Sequence, residues 1–274
     1  MLNFIELLKV VLLGVIEGIT EWLPISSTGH MLLFDEFVPL NMTEAFKEMF
    51  FVVIQLGAII AVIACFFSKM NPIKVQDKKL SVNSYSVSIW KRVIVACLPS
   101  AVGIFLDDFF EEHFGGAVSI AAMLIIYGIL FIIIEQRNKG RTPKIQDVGD
   151  ITYRYAFIIG CFQVLAMIPG TSRSGATIVG ALLLGISRTA AAEFTFFLAV
   201  PTMVAASGLK LIKFGFAFTS EEVIVLLLGM AVAFVVSLIT IRFLMNYVKK
   251  HTFTSFGIYR IVLGAAVLIC HFFI

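Results

Sequence analysis

Charged side chains are scarce in this chain. Asp, Glu, Lys and Arg make up 14% of its 274 residues and hydrophobic types 59%, where soluble domains carry about 25% and 45–50%. Too little polar surface remains to face water, which all but excludes a soluble enzyme. The four cysteines, Cys65, Cys97, Cys161 and Cys270, stand singly in apolar runs, where a thiol behaves as a small hydrophobe. Neither a disulfide framework nor a zinc site is indicated. His113, His251 and His271 are likewise isolated and lack ligand spacing. The formal net charge is only +3 and sits mostly in three loops, so no nucleic-acid partner is expected.

Long apolar runs are abundant instead. Residues 49–67 and 223–241 are each nineteen residues without a charge, close to the roughly 20 needed to cross a hydrocarbon core. The chain reads as an all-α polytopic membrane protein, a single integral membrane domain over 1–274. Residues 1–23 lack a basic segment and a small-residue cleavage site and carry Glu17 and Glu21, so they are expected to belong to the mature protein.

Basic residues concentrate in three connections, 68–92, 135–154 and 242–251, which hold 14 of the 21 Lys and Arg residues. The positive-inside rule makes all three cytoplasmic. Acidic turns at Asp107, Asp108, Glu111, Glu112 and at Glu221, Glu222 alternate with them. This predicts about six spanning helices, near 45–67, 93–106, 117–134, 194–213, 223–241 and 256–274, with both termini outside. Segments 1–40 and 155–190 fit no simple crossing. Each is an apolar run, a break rich in Pro, Gly, Ser and Thr, and a second apolar run, which predicts two re-entrant helical hairpins. Irregular backbone at that depth is tolerated only where protein or a wet cavity covers it.

A shift of 146 residues aligns Gly14 with Gly160, Glu17 with Gln163, Ser26 with Ser172, Thr28 with Ser174, Gly29 with Gly175 and Phe50-Phe51 with Phe196-Phe197. Beyond the 68–92 loop the offset shortens by ten, pairing Gly128 with Gly264. Combined with the loop charges, this predicts an inverted-topology repeat, about 1–140 and 150–274. Such repeats place their site near the bilayer midplane, where broken helices meet.

The first break carries Glu17, Glu21 and His30 within fourteen residues. Glu17 and Glu21 fall on one helical face, and ionisable groups at membrane depth cost about 2.5–3.5 kcal/mol each and need partners. A divalent cation and Arg173 are the candidates. In the second break, Pro169-Gly170-Thr171-Ser172-Arg173-Ser174-Gly175, glycines and hydroxyl residues ahead of a helix offer N–H groups to an anion. Arg173 adds a planar fork suited to phosphate or carboxylate. Together the breaks hold an inventory for metal-assisted phosphoryl transfer on a lipid-linked substrate. Gln55 is either a site-lining group or a packing residue, and Gln163 keeps the geometry of Glu17 without its charge. Arg260, Lys210 and Lys213 read as snorkelling cations, and Trp22 and Trp90 as interfacial anchors.

Glu17-xxx-Glu21, the run Trp22-Leu23-Pro24-Ile25-Ser26-Ser27-Thr28-Gly29-His30 and the 169–175 motif resemble the signatures of bacterial undecaprenyl-pyrophosphate phosphatases, the bacitracin-resistance family. The resemblance runs over essentially the whole chain. It implies hydrolysis of undecaprenyl pyrophosphate, recycling the lipid carrier for peptidoglycan synthesis from the bacterial cell membrane, with an active site open to the extracytoplasmic side. It also implies a divalent cation, magnesium or calcium, at Glu17 and Glu21. Glu21, Ser27, His30 and Arg173 become the catalytic candidates, with Ser172 beside Arg173 on the pyrophosphate. Ser26, Thr28, Gly29, Thr171, Ser174 and Gly175 become further headgroup contacts. Undecaprenyl pyrophosphate and membrane lipid are the expected partners, and a homodimer stays open. Ser27, His30 and a metal-activated water remain alternative nucleophiles. A secondary transporter or flippase for an anionic lipid is the competing function.

Overall fold

The structure is a computed structural model that describes residues 3–76, 79–103 and 107–273. It begins with a helix–break–helix unit, α1 (Phe4–Thr20) and α2 (Ser27–Phe37), whose first helix starts on an Asn3 side-chain cap. A long helix bent at Ile54 follows, as α3 (Glu44–Val53) and α4 (Gln55–Cys65). Gln55 sits at the bend and donates to the Phe51 carbonyl at 3.5 Å, a packing role.

The basic 68–92 connection is more ordered than a loop. It contains the single turn α5 (Phe67–Met70), then an antiparallel pair, β1 (Ile73–Gln76) and β2 (Lys79–Val82), with Ile73 opposite Val82. The next helix, α6 (Ser84–Gly103), starts nine residues earlier than the expected crossing at 93. It accommodates Arg92 because that guanidinium donates to the carbonyls of Ser88 and Ile151. The end of the expected span, 104–106, lies outside the described residues, as do the side chains of Asp107, Asp108 and Glu111 in α7 (Asp107–Phe114).

The remainder comprises α8 (Ala117–Asn138), a second helix–break–helix unit of α9 (Tyr153–Val164) and α10 (Arg173–Leu183), then α11 (Arg188–Phe214), α12 (Ser220–Lys250) and α13 (Thr254–Phe273). Thr152, Ser187 and Thr219 cap α9, α11 and α12 with their side chains. Five helical segments among the described residues are long and apolar enough to cross a membrane: 44–65, 117–138, 188–214, 220–250 and 254–273. The chain is a multi-pass, all-α membrane protein. Its core gathers Phe66, Phe196, Phe197 and Trp22 around the two broken units.

Packing is close where glycines face backbone. α1 lies on α12, α6 on α9, and α8 on α13. A Cβ at Gly160 would stand 2.2 Å from the Ala96 carbonyl oxygen, and one at Gly57 would stand 2.1 Å from that of Met230. In the α8–α13 pair, Gly257 abuts the Gly128 oxygen and Gly264 the Ala121 oxygen. A shift of 136 residues carries one contact onto the other, the spacing that pairs Gly128 with Gly264. Small residues at such crossings are what lets membrane helices approach without a hydrophobic driving force between them.

At the C-terminal end of α8, buried Glu135 receives two hydrogen bonds from Arg188 Nε, at 2.8 and 3.1 Å, and one from Nη2 at 2.5 Å. The same carboxylate accepts from the Phe253 backbone N–H at 2.9 Å, tying the starts of α11 and α13 to the end of α8. Lys210 approaches Glu48 at 4.0 Å.

Gly160→Leu should destabilise the fold by about 1–3 kcal/mol or more, because backbone cannot yield as a side chain can. Gly208→Ala, where an added Cβ meets nothing within 4 Å, should be neutral or slightly stabilising. Thermal unfolding in detergent checks both, and equal melting temperatures for the two variants would contradict the packing account.

Candidate active site

Glu21 closes α1 with helical angles, φ −67° and ψ −40°, which keeps Glu17 and Glu21 on one face. The chain then turns through Pro24 and enters α2 at Ser26, whose φ is +77°. The second break enters α10 at Ser172, with φ +69°. These are the two non-glycine residues with positive φ among the described residues, and they are the serines paired by the 146-residue shift. Both following helices contain eleven residues. Such backbone costs about 1–3 kcal/mol per residue and persists where its surroundings over-determine it. Gly170, in the second break, is also at positive φ (+89°), and a Cβ there would collide with the Ile120 carbonyl oxygen at 2.5 Å.

The breaks meet at Glu21. Its Oε2 accepts from Ser27 Oγ at 2.5 Å and its Oε1 from Arg173 Nη2 at 2.8 Å, all within a buried setting. Arg173 Nη1 donates to the Thr195 carbonyl at 3.2 Å. Arg173 Nε and the hydroxyl of Thr171 are buried with no hydrogen-bond partner among the described residues. One residue therefore positions a hydroxyl while its arginine partner keeps a free donor. This is the arrangement expected of a nucleophile held by a base, with a fork ready for an oxyanion.

Glu17 is fully buried and neither of its carboxylate oxygens has a hydrogen-bond partner among the described residues. An ionised carboxylate in that position needs a cation. Beside it, Glu21 retains acceptor capacity, since each carboxylate oxygen accepts twice. The pair fits a hard divalent cation that takes its other ligands from water and substrate oxygens. No cluster of three or more His, Cys, Asp and Glu residues suited to a metal occurs among the described residues.

Other expected site residues serve the scaffold. Ser172 Oγ accepts from the Gly175 N–H at 3.2 Å, capping α10, and lies 3.2 Å from Ser174 Oγ. Ser174 donates across to the carbonyls of Glu21 and Leu23, at 3.3 and 3.5 Å. Gly175 lies against Arg260, where a Cβ would come within 3.1 Å of Nη1. Gly29 has room, with Ser26 Oγ at 3.5 Å from an added Cβ. The side chain of Thr28 lies outside the described residues. Gln163, standing where the first copy has Glu17, donates to Ser100 Oγ at 2.7 Å. His30 sits apart from the Glu21 contact, with Nδ1 2.7 Å from the Ser26 carbonyl and Nε2 2.7 Å from the Tyr259 hydroxyl.

Two sequence expectations are corrected. Trp22 is completely buried, not interfacial, and meets Phe196 edge-on at 5.2 Å. It fills the space behind the break. Trp90, half-buried, donates its indole N–H to the Met70 carbonyl at 2.7 Å. Arg260 does not snorkel; its exposure is 0%. Its guanidinium donates to the carbonyls of Pro24 (3.2 Å) in one break and Gly170 (2.9 Å) and Thr171 (2.8 Å) in the other. Longer contacts reach Leu124 and Met123 of α8, and the group lies 5.6 Å above the Tyr127 ring. N–H groups on all three guanidinium nitrogens, fixed in one plane, reach carbonyls in different directions, which a lysine ammonium cannot match.

Replacing Arg260 should therefore unseat both breaks. Each buried carbonyl left unpaired costs about 1–3 kcal/mol, so Arg260→Met should lower the melting temperature by about 5 °C or more. Arg260→Lys should rescue little of that loss. A Lys variant with wild-type melting would show that charge alone suffices and would contradict the clamp.

Known proteins match the chain from end to end. The family model described as "Bacitracin resistance protein BacA" matches residues 10–266. A protein of Enterococcus faecalis named undecaprenyl-diphosphatase is 63% identical over 270 residues, covering 98% of each chain. One of the same name from Desulfitobacterium hafniense is 58% identical over 267 residues, covering 97% of this chain and 96% of its own. With signature residues meeting at one buried site and a match from end to end, the chain belongs to the bacitracin resistance protein BacA family.

Proposed function

We propose that the chain is an undecaprenyl-diphosphatase, a membrane hydrolase that splits undecaprenyl pyrophosphate into undecaprenyl phosphate and inorganic phosphate. The undecaprenyl phosphate formed returns as lipid carrier to peptidoglycan synthesis, and this hydrolysis underlies bacitracin resistance. Family membership supplies the substrate, and the observation that carries the chemistry is the Ser27–Glu21–Arg173 chain of hydrogen bonds. A transporter reading is not favoured: the relatives are named as hydrolases, and binding and release alone require no serine held on a buried carboxylate.

In the proposed reaction Arg173, through its free Nε, and the first N–H groups of α10 hold the phosphate oxygens. Ser27 Oγ attacks the terminal phosphorus and passes its proton to Glu21 Oε2. The phosphoanhydride bond breaks, with the bridging oxygen leaving on the lipid phosphate. Water then hydrolyses the phosphoserine. The 2.5 Å Ser27–Glu21 contact favours this route over attack by His30, whose two ring nitrogens are both occupied. Glu17 and Glu21 would hold a divalent cation, magnesium or calcium, which when bound neutralises phosphate charge.

The two halves would then be inverted copies whose breaks meet near the midplane, with the basic connections cytoplasmic, both termini outside and the site open to the extracytoplasmic face. Support comes from the loop charges and from the paired positive-φ serines. Exposed apolar side chains such as Ile239, Val262 and Phe272 would contact membrane lipid.

Phosphate release from undecaprenyl pyrophosphate in detergent tests the reading. Glu21→Ala and Arg173→Ala should each lose about two or more orders of magnitude in rate while still inserting, and a chelator should abolish wild-type turnover. Near-normal turnover in either variant removes that residue from the mechanism. No release with magnesium and calcium both supplied overturns the function.

A further inference from the structure

Tyr259 and Arg260 are adjacent in α13 and point to different parts of the site. Arg260 clamps the breaks, while Tyr259 reaches His30 of α2, 229 residues away in sequence. The two rings are stacked, 5.7 Å between centroids and 6° from parallel, and the Tyr259 hydroxyl lies 2.7 Å from His30 Nε2. On the other side of the imidazole, Nδ1 lies 2.7 Å from the Ser26 carbonyl oxygen.

These contacts define the proton positions. A carbonyl only accepts, so Nδ1 carries hydrogen and donates to Ser26. In the neutral ring Nε2 then bears the lone pair, and the Tyr259 O–H donates to it. When the ring is protonated, Nε2–H becomes a donor and the same hydroxyl oxygen accepts. A carboxylate would serve only the charged ring and a backbone N–H only the neutral one. The hydroxyl serves both without moving.

We propose that Tyr259 is the positioning residue of His30, holding the imidazole in one orientation and one tautomer as its proton comes and goes. The inference rests on the family resemblance that makes His30 a catalytic candidate; it is not the nucleophile, and its place in the proposed reaction is the second step, where it takes the proton released as water hydrolyses the phosphoserine. Ser26, at positive φ on the entry to α2, supplies the second fixed point, so the ring is anchored from the break on one side and from α13 on the other. Tyr259 has no other hydrogen-bond partner among the described residues, which leaves its hydroxyl free to reverse direction.

The test is a double-mutant cycle on phosphate release, joined to a chemical probe of the ring. Tyr259→Phe keeps the stacked ring and removes only the hydroxyl. It should lower kcat roughly tenfold with KM within about twofold and the melting temperature unchanged. On a His30→Ala background it should cost nothing further, since its action passes through His30. Diethyl pyrocarbonate, which modifies unprotonated imidazole nitrogen, should label His30 several-fold faster in Tyr259→Phe than in the wild type, read by peptide mass. Unchanged kcat and labelling in Tyr259→Phe, with His30→Ala impaired, overturns the positioning role. So does a Tyr259→Phe loss that persists on the His30→Ala background. Full activity in His30→Ala instead overturns the reading of His30 itself and the inference with it.

Discussion

Backbone that leaves the helix inside a hydrocarbon layer exposes N–H and C=O groups with no water to satisfy them. Two stretches leave the helix at the heart of this protein, and one side chain answers for both. Arg260 donates to Pro24, Gly170 and Thr171 from complete burial. Ser174 ties the second break to the carbonyls of Glu21 and Leu23, and Ser172 caps the helix that follows. The breaks are thus each other's solvent. Their meeting is a condition of their stability before it is a feature of catalysis.

The site's chemistry follows from that meeting. Glu21 ends one helix and Arg173 begins another, and the clamp brings them to 2.8 Å. The same carboxylate holds Ser27, while Glu17, one turn back, is left buried with two unpartnered oxygens. The helix N-termini after Ser26 and Ser172 direct positive potential toward the same region. A headgroup carrying several negative charges and its cation would complete a charge arrangement that the protein alone leaves unbalanced. The strained serines fit this picture, since backbone held in a sparsely populated region belongs where geometry matters more than local energy.

Much of this was legible in the sequence. Low charge and long apolar runs give the membrane class, and the polar clusters at two Pro-Gly-Ser breaks mark the site because polar groups at depth are costly. Taken alone, Arg260 reads as a snorkelling cation; its neighbours in α13 say otherwise. Gly257 and Gly264 flank it at helical spacing and face α8, so Arg260 shares their face and cannot reach the lipid boundary. Trp22 suggests an interface because amphipathic aromatics are enriched there, whereas in the fold it fills the space behind a break. The β1–β2 pair and the early start of α6 were hidden by a charge rule that fixes sidedness and says nothing of local order. The Tyr259–His30 contact joins residues 229 positions apart, beyond any local pattern.

The proposed site puts the lipid pyrophosphate headgroup where the two breaks meet. A photoreactive prenyl pyrophosphate analogue, crosslinked in detergent with magnesium present and mapped by peptide mass, tests it most directly. The account predicts that labelled peptides come from both 21–30 and 169–175, and that unlabelled undecaprenyl pyrophosphate suppresses both together. Labelling confined to one break, or found mainly in the basic 135–154 connection, would contradict it.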